Sequence, residues 1–372
     1  MKRNCVTALF NFSLGFSVAT SGISEAQLEA QNPDYAVPKA YELSGDQGGT
    51  HDPSIIKEGD TWYVFASGKD PMGGHVPIRC STDLLTWKHC GSVFQQLPDW
   101  LTNDPLVPHA QGIWAPDISY FEGQFHLYYA YSLFGKNTSG IGLATNVTLD
   151  SHRPDYKWVD RGLVLRSVSA DDFNAIDPNL VIDKQGQTWL DFGSFWTGIK
   201  MRRIDRATGK LYSQDTKLYS LASRAKPEHP EAAPPNLPAN WQAVEAPFIV
   251  MHGDYYYLFV SWDLCCRGVK STYRTMVGRA KKITGPYLDR NGTPMDRGGG
   301  SELLTANAMW LGPGGESVYL GAGGSPDIIV YHAYDASSGK PSLQISTLTW
   351  DGGWPHAVLA ISKGHPNADQ TK

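Results

Sequence analysis

One phrase recurs along this chain and constrains its fold more than any other feature. It consists of a proline, an aliphatic residue two positions later, a turn containing Gly or Asp, and an aromatic-rich stretch. The copies are HDPSIIKEGDTWYVFASG from His51, WAPDISYFEGQFHLYYAYS from Trp114, IDPNLVIDKQGQTWLDFGSF from Ile176, VEAPFIVMHGDYYYLFVSW from Val244 and, more weakly, ANAMWLGPGGESVYLGAGG from Ala306. Their prolines, with Ala308 in that place in the fifth copy, lie 61 to 69 residues apart. Such regular spacing indicates a repeat architecture.

A repeat of this length holds about four strands with their turns, which is the size of one β-propeller blade. Helical periodicity is scarce, and Gly-containing turns separate the apolar runs, as in antiparallel sheets. We therefore predict an all-β chain in which residues 27–372 form a single five-bladed β-propeller. Residues 27–50 are expected to complete the first or last blade, and LQISTLTWDGGWP near the C-terminus to supply a closing strand. A β-sandwich is the alternative, but it does not predict five spaced copies of one phrase.

Acidic residues occupy matched places in the repeat. Asp52 and Asp177 stand one residue before the proline, Glu245 stands two before it, and Asp117 stands one after it. In a propeller these positions meet at one end of the central channel, where an unpaired carboxylate is costly to bury. The acids could cap turns or pair with Lys and Arg, but their shared repeat position favours a common function.

Glycoside hydrolysis uses such a cluster, because it needs one protonated carboxylic acid and one ionised carboxylate. A third carboxyl group nearby raises the pKa of the acid, since close carboxylates do not all ionise cheaply. The sugar supplies its own electrophile, so the chemistry requires no cofactor.

Composition narrows the partners. The net charge is −5 without long runs of one sign, which gives no basic surface for nucleic acid and no polybasic membrane patch. The 12 Trp and 18 Tyr suit a protein that stacks rings on sugars, although an all-β core also uses them. A monomer is expected, since no oligomer signal stands out.

The N-terminus has the pattern of a secretory signal. Two basic residues precede a short apolar segment, and SEA at Ser24–Ala26 places small residues where a signal peptidase cuts. We predict a signal peptide over residues 1–26 and secretion to the medium or the periplasm; a cytosolic tail is the alternative. Cleavage leaves four cysteines, of which Cys80 and Cys90 can pair, whereas Cys265 and Cys266 would need a bridge between neighbours or stay reduced.

The phrases HDPS, WAPDI, IDPN, GSFWTGI, VEAPFI, CCRG, STYR and MVGRAKKITGPY together resemble glycoside hydrolase family 43, and within it the endo-acting α-1,5-L-arabinanases. The resemblance extends from about His51 to Pro355. It implies a five-bladed propeller that cleaves internal bonds of arabinan, the polymer of pectin side chains, with inversion of the anomeric centre. It also implies that Asp52 is the general base, Glu245 the general acid, and Asp177 the residue that tunes and orients the acid.

Further residues are expected to bind substrate. The resemblance makes Trp114 a platform for a furanose ring, although it could be a core residue. Asp117, Asn179, Ser194 and Trp196 are expected to line the groove, and Cys265–Cys266 with Arg267 to serve structure rather than catalysis.

The resemblance also implies a channel ion, calcium or similar, held by a His of the phrase GPGHNS. Here Gly312–Ser317 read GPGGES, so Gly315 stands in place of that His, and Glu316 follows it. Calcium is therefore in doubt, with Glu316 as a candidate oxygen ligand and His332 as a candidate channel residue. Two rival functions stay open: an exo-acting α-L-arabinofuranosidase or β-xylosidase on the same fold, and a carbohydrate-binding propeller without catalysis.

Overall fold

The computed structural model describes residues 37–108, 112–224, 242–322 and 325–361. One compact unit comprises Pro38–Lys372, and of the other, Met1–Val37, only Val37 is described. The predicted signal peptide therefore lies outside the described residues, and the predicted domain limits stay predictions. No helix in the described ranges is long and apolar enough to cross a membrane.

The compact unit is a five-bladed β-propeller, as predicted. Blade one contains β1 (Ser44–Gly45), β2 (Ser54–Glu58), β3 (Thr61–Phe65), β4 (His75–Ser81) and β5 (Thr86–Phe94). Blade two contains β6 (Trp114–Phe121), β7 (Gln124–Tyr131), β8 (Ser139–Asn146) and β9 (Val159–Ser167). Blade three contains β10 (Asn179–Ile182), β11 (Thr188–Phe192), β12 (Ile199–Ile204) and β13 (Tyr219–Ala222). Blade four contains β14 (Val244–His252), β15 (Tyr255–Trp262), β16 (Arg274–Ala280) and β17 (Ser301–Leu304). Blade five contains β18 (Trp310–Tyr319), β19 (Ile328–Asp335) and β20 (Pro341–Thr347).

The other elements are short. They are a hairpin of β21 (Thr349–Asp351) and β22 (Trp354–His356), one helical turn, α1 (Asp99–Thr102), and 3₁₀ turns at Gly268–Lys270 and Met295–Arg297.

The first strand of each blade lines the central channel. Contacts run from β2 to β6, from β6 to β10, from β10 to β14, from β14 to β18 and back to β2. The recurring phrase therefore marks the innermost strand of each blade, and its proline end lies at one end of the channel.

Each inner strand begins with a left-handed residue. A positive φ occurs at Asp52 (48°), Ala115 (41°), Asp177 (54°), Ala246 (52°) and Gly315 (58°). In the first four copies this residue stands directly before the proline. In the fifth copy the left-handed residue is Gly315, so Glu316, which follows it, occupies the proline position. The predicted alignment of Ala308 with the prolines is therefore wrong.

Strand register supports this correction. In blade four the ladder skips from Glu245, opposite Ser261, to Phe248, and in blade five it skips in the same way from Gly314, opposite His332, to Ser317. The fifth copy was misaligned because it has no proline at this position.

Hydrogen bonds join neighbouring blades around the channel. The residue after the proline position accepts a backbone N–H from the inner strand of the next blade at four of the five junctions. The bonds run from Ile118 N to Ser54 Oγ (3.1 Å), from Leu180 N to Asp117 Oδ2 (2.8 Å), from Ile249 N to Asn179 Oδ1 (2.8 Å) and from Ile55 N to Ser317 Oγ (3.2 Å). At the fifth junction the equivalent residue is Phe248, which has no polar side-chain atom.

The N-terminal segment closes the propeller. Tyr41 N donates to Ile345 O, and Leu343 N donates to Gln47 O, both at 2.9 Å. Between these bonds to blade five, β1 pairs in parallel with β5 of blade one. The prediction that residues 27–50 complete the first or last blade is confirmed for the described part, which bridges both.

The predicted C-terminal strand is present as β20, but it does not pair with blade one. β20 is the third strand of blade five, antiparallel to β19, and β21 with β22 forms a separate two-stranded sheet. The outer edge of β20 is bonded to the N-terminal segment instead.

Much of the aromatic content belongs to the core. Trp87, Tyr128, Tyr129, Tyr131 and Tyr257 are at most 1% exposed. Aromatic abundance was therefore weaker support for sugar binding than for a packed all-β interior.

Candidate active site

The three predicted carboxyl groups come together at the proline end of the channel. Asp52 precedes β2, Asp177 precedes β10, and Glu245 lies at the start of β14. Burial raises the pKa of Asp177 well above its usual range, and the charges of Glu245 and Asp52 raise it further. Asp177 Oδ2 accepts the N–H of Ala246, the residue after Glu245, and Asp52 and Asp177 line one cavity, so three different blades contribute to one acidic centre.

Glu245 is buried and held by two hydroxyl groups. Its side chain receives a hydrogen bond of 2.5 Å from Ser194 Oγ to Oε2 and another from the Tyr273 hydroxyl to Oε1. Burial raises the pKa of Glu245 to about 7, while the two hydroxyl donors act in the opposite direction and the charge of Asp52 raises it further. A large fraction of Glu245 is therefore protonated near neutral pH, which suits a proton donor.

Asp177 supports the segment that carries Glu245. Its Oδ2 accepts the backbone N–H of Ala246 at 3.1 Å, so it fixes the peptide directly after the glutamate. With its raised pKa, Asp177 can share a proton within the acidic pair.

Asp52 is partly exposed and accepts a hydrogen bond. Its side chain is 30% exposed, and its Oδ2 accepts a hydrogen bond of 2.6 Å from Ser67 Oγ. The same Ser67 Oγ accepts the N–H of Ala115 at 2.6 Å, which ties Asp52 to the strand start of blade two. A carboxylate with this exposure can meet a water molecule.

A neutral histidine lies under Asp52. The Asp52 backbone N–H donates to His332 Nδ1 at 3.2 Å, so this nitrogen is an acceptor and carries no proton. Burial lowers the pKa of His332 well below its usual range, and neighbouring His51 lowers it further. The 3.6 Å approach of Nδ1 to Asp52 Oδ1 is therefore not an ion pair.

The aromatic candidates border the centre. Trp114 is partly exposed and occupies the repeat position of Glu245, since each faces the last residues of the second strand across the same register skip. Trp196 is also partly exposed and lies two residues after Ser194, the partner of Glu245. Both placements are compatible with substrate contact, which stays a prediction.

Asp117 and Asn179 lie deeper than we expected. They are 3% and 2% exposed, and Asn179 Nδ2 donates to Asp117 Oδ1 at 3.2 Å in addition to the blade-to-blade bonds above. Burial raises the pKa of Asp117 to about 6. These side chains join blades in the channel wall, so the geometry does not favour their predicted role in the groove.

Sequence reasoning missed the hydrogen-bonding role of a set of serines, of which only Ser194 was expected near the site. Four copies of the repeat carry a serine at or just after the end of their second strand. Three follow the strand, Ser67, Ser132 and Ser194, and Ser261 is the penultimate residue of its strand. Ser67 donates to Asp52, Ser194 to Glu245, and Ser261 Oγ to Glu316 Oε2 at 2.9 Å. The recurrence was visible in FASG, YAYS, GSFW and VSW. Tyr273, in the quoted phrase STYR, was also missed as a partner of Glu245.

The channel residues do not fit calcium. Gly315 supplies no ligand side chain, and a Cβ there would lie 2.6 Å from Asp52 Oδ1 and 2.8 Å from His332 Nδ1, so both groups would have to move to admit one. The clustered candidate donors are His51, Asp52 and His332, within 4.8 Å of one another, whereas calcium takes oxygen ligands.

Glu316 is a further buried carboxyl group near Asp52 and Asp177. Burial raises its pKa to about 7, and its Oε1 has no hydrogen-bond partner among the described residues. It borders a cavity of about 30 Å³ beneath the acids, enough for about one or two waters. One partly protonated carboxyl does not supply a calcium site.

Comparison with known proteins agrees with this geometry. The sequence profile described as "Glycosyl hydrolases family 43" matches residues 47–355. Two curated relatives are each 44% identical over 82% of this chain: extracellular endo-α-(1→5)-L-arabinanase 1 of Bacillus subtilis, of which 86% is covered, and extracellular exo-α-(1→5)-L-arabinofuranosidase ArbA of Cellvibrio japonicus, of which 85% is covered. A solved structure of Cellvibrio cellulosa α-L-arabinanase complexed with arabinohexaose is 42% identical with a TM-score of 0.75, over 84% of this chain and 96% of that one. A propeller with three converging carboxyl groups and this profile match leads to one conclusion: the chain belongs to glycosyl hydrolases family 43 and is a glycoside hydrolase.

Proposed function

We propose that this enzyme hydrolyses internal α-1,5-L-arabinofuranosidic bonds of arabinan by single displacement with inversion. The observation that carries the proposal is the contrast between Glu245, buried with its pKa raised to about 7, and Asp52, whose side chain is 30% exposed. Two carboxyl groups in unlike environments are what an acid and base pair requires. The names of the relatives and the arabinohexaose complex of one neighbour support arabinan as the substrate.

In the proposed reaction a water molecule attacks the anomeric carbon from the face opposite the leaving oxygen. Asp52 accepts a proton from that water, and Glu245 gives its proton to the departing oxygen of the neighbouring sugar. Asp177, whose own pKa is raised by burial and by the charge of Glu245, can share a proton with Glu245 and holds the following peptide by the Ala246 N–H. An inverting pathway requires the base and acid carboxyl groups to be about 6.5–9.5 Å apart. No step needs an ion, because the sugar carbon is itself the electrophile.

The stereochemical test is direct. Proton NMR of the earliest products from linear arabinan should show the β anomer at the new reducing end, which then equilibrates with the α anomer. Initial formation of the α anomer would show retention and overturn the single-displacement mechanism.

Substitutions test the two roles separately. Glu245→Gln should lower kcat on linear arabinan by at least about 10²-fold, yet retain much of its activity on an aryl arabinobioside whose leaving group needs no proton. Asp52→Asn should lower activity on both substrates, because each needs the activated water. Glu302→Gln, at an exposed carboxyl group on the outer strand of blade four, is the matched control and should change neither.

Product lengths decide between endo and exo action. Sequence identity does not, because an endo-acting and an exo-acting relative are equally identical to this chain. We expect a ladder of oligosaccharides from debranched arabinan at early times. Free arabinose as the sole early product would favour the exo-acting alternative.

We also propose export from the cell. Both curated relatives are named extracellular, and the structure pairs Cys80 with Cys90 and Cys265 with Cys266, which suits an oxidising compartment. A fusion of residues 1–26 to a reporter should carry it out of the cytoplasm, and a reporter retained there would contradict the proposal.

A further inference from the structure

A disulfide between neighbouring residues lies on the loop that follows β15. Cys265 and Cys266 are bonded to each other; Cys266 is exposed and Cys265 half-buried. The sequence left open whether these cysteines pair or stay reduced, and the structure selects the bridge.

This loop leaves blade four at the end that carries Glu245. Glu245 pairs with Ser261 near the end of β15, and the loop begins two residues later. Its base is fixed by hydrogen bonds from Asp263 N to Ala243 O at 3.0 Å and from Thr272 N to Leu264 O at 2.8 Å. The disulfide is therefore presented at the rim of the acidic centre by a braced loop.

Tyr334 connects the disulfide to the catalytic side chains. The Cys266 N–H donates to the Tyr334 hydroxyl at 2.8 Å. The Tyr334 ring meets the rings of His51 and His332 with centroids 5.4 Å away in each case, and His332 accepts the Asp52 N–H. The charges of Asp52 and Glu245 both act on Tyr334, adding to the burial that raises its pKa. Tyr334 and His332 therefore link the disulfide to the base.

Stabilisation does not account for this bridge. A disulfide restricts the unfolded chain according to the length of the loop it closes, and a bond between adjacent residues closes none. By contrast, Cys80–Cys90 joins β4 to β5 across a hairpin with a separation of 10 residues. The adjacent disulfide is exposed to solvent and does not increase the free energy of unfolding as a longer-range disulfide would.

What the pair does supply is a small, fixed and uncharged surface. Joining the two sulfur atoms removes the rotational freedom of both side chains, so little entropy is lost when a ligand packs on them. Sulfur is polarizable and makes favourable contacts with apolar groups. These properties match the C–H face of a neutral sugar ring.

We propose that the Cys265–Cys266 disulfide is the wall of a sugar-binding subsite, contacting an arabinofuranose unit of the bound chain beside the cleavage point. The inference rests on the proposed function, since it takes arabinan as the ligand. It assigns the pair a binding role in place of the structural role expected from the sequence.

The test measures binding without turnover. Arabinohexaose is titrated by calorimetry into Glu245→Gln protein, with and without Cys265→Ala plus Cys266→Ala. We expect the cysteine pair variant to bind about tenfold more weakly, a loss of about 1.4 kcal/mol. The matched control, Cys80→Ala plus Cys90→Ala, removes the remote disulfide and should bind normally.

Kinetics separate contact from positioning. In the otherwise wild-type enzyme, loss of the adjacent pair should raise KM for arabinohexaose with kcat within about twofold. If the bridge only positioned Tyr334 and the catalytic centre, kcat would fall while arabinohexaose affinity stayed unchanged, and that result would overturn the proposal.

A second measurement avoids any failure of the variant to fold. Folded Glu245→Gln protein is treated with a water-soluble phosphine, which reduces the exposed bridge to two thiols as the phosphine is oxidised, and thiol labelling with mass spectrometry identifies the reduced pair. Arabinohexaose affinity should fall as Cys265 and Cys266 become labelled. Unchanged affinity after their reduction would overturn the inference, whereas wild-type protein that leaves linear arabinan intact would overturn the proposed function itself.

Discussion

Glu245 is subject to opposing influences that decide where its proton resides. Burial and the charge of Asp52 raise its pKa, and the hydroxyl groups of Ser194 and Tyr273 lower it by stabilising the ionised form. The resulting value of about 7 places the alkaline limb of the activity profile near neutrality. Activity should therefore fall as pH rises through about 7, because the proton donor is lost.

Tyr273→Phe should move this alkaline limb upward. Removing the hydroxyl removes a donor to ionised Glu245, and a hydrogen bond to a charged group contributes about 1.5–3 kcal/mol, or about one pKa unit or more. We expect kcat to fall severalfold at its optimum and the limb in kcat/KM to shift by about one pH unit. Tyr257→Phe, a change in the same blade that removes a hydroxyl bonded to the Gly353 carbonyl of the β21–β22 hairpin, should leave the limb in place. A downward shift in Tyr273→Phe would contradict the assignment of Glu245 as the acid.

At the scale of elements, each inner strand is bonded to the next by a polar residue after the proline position. Asn179 was predicted there as a groove residue because it stands beside Asp177 in the sequence, and Asp117 because it is one of the acids of the repeat. The structure uses Asp117 and Asn179 to accept N–H groups of Leu180 and Ile249. Asp177 is left-handed, with a φ of 54°, and lies before β10, so the regular alternation of faces along a strand does not extend from it to Asn179.

Ser54→Ala tests this blade-to-blade bonding. The substitution leaves the buried Ile118 N–H without its acceptor, which should lower the free energy of unfolding by about 1–3 kcal/mol. Ser119→Ala is the matched control, since the Ser119 hydroxyl has no hydrogen-bond partner among the described residues. Urea denaturation of both variants should show a loss in Ser54→Ala alone, and equal midpoints would contradict the structural role.

At the scale of the whole molecule, the propeller is closed by chain from its beginning. Tyr41 and Gln47 bond to blade five while Ser44 and Gly45 pair with blade one. Leu43 is 5% exposed and packs with Trp87 and Ile345. The closure thus combines backbone pairing with burial of apolar surface.

Removing this segment should destabilise the entire propeller. A chain beginning at residue 50 loses both sets of backbone bonds and exposes the edge of β20, which invites aggregation. We expect a markedly lower Tm than for a chain beginning at Pro38, the first residue of the compact unit, as measured by scanning calorimetry. Equal Tm values for the two chains would show that closure does not depend on residues 38–49.

The five-bladed fold and the position of the three acids can be inferred from the amino-acid sequence. Both follow from local pattern: a recurring strand phrase sets the number of blades, and a residue's place in that phrase sets which end of the channel it reaches. The fifth copy was misaligned because it has Glu316 where the other copies have a proline, and the alignment relied on that proline.

The hydrogen-bond partners of each acid depend on how distant segments pack together. Ser194, Tyr273 and Ser67 come from different parts of the chain, and contacts between distant segments leave little trace in a single sequence. The same applies to the pKa of Glu245, which depends on burial by surrounding blades, and to the closure of blade five by residues 39–49. Carboxyl groups of the same residue type belong either to the acidic centre or to the bonds between blades. Their positions in the folded structure decide which.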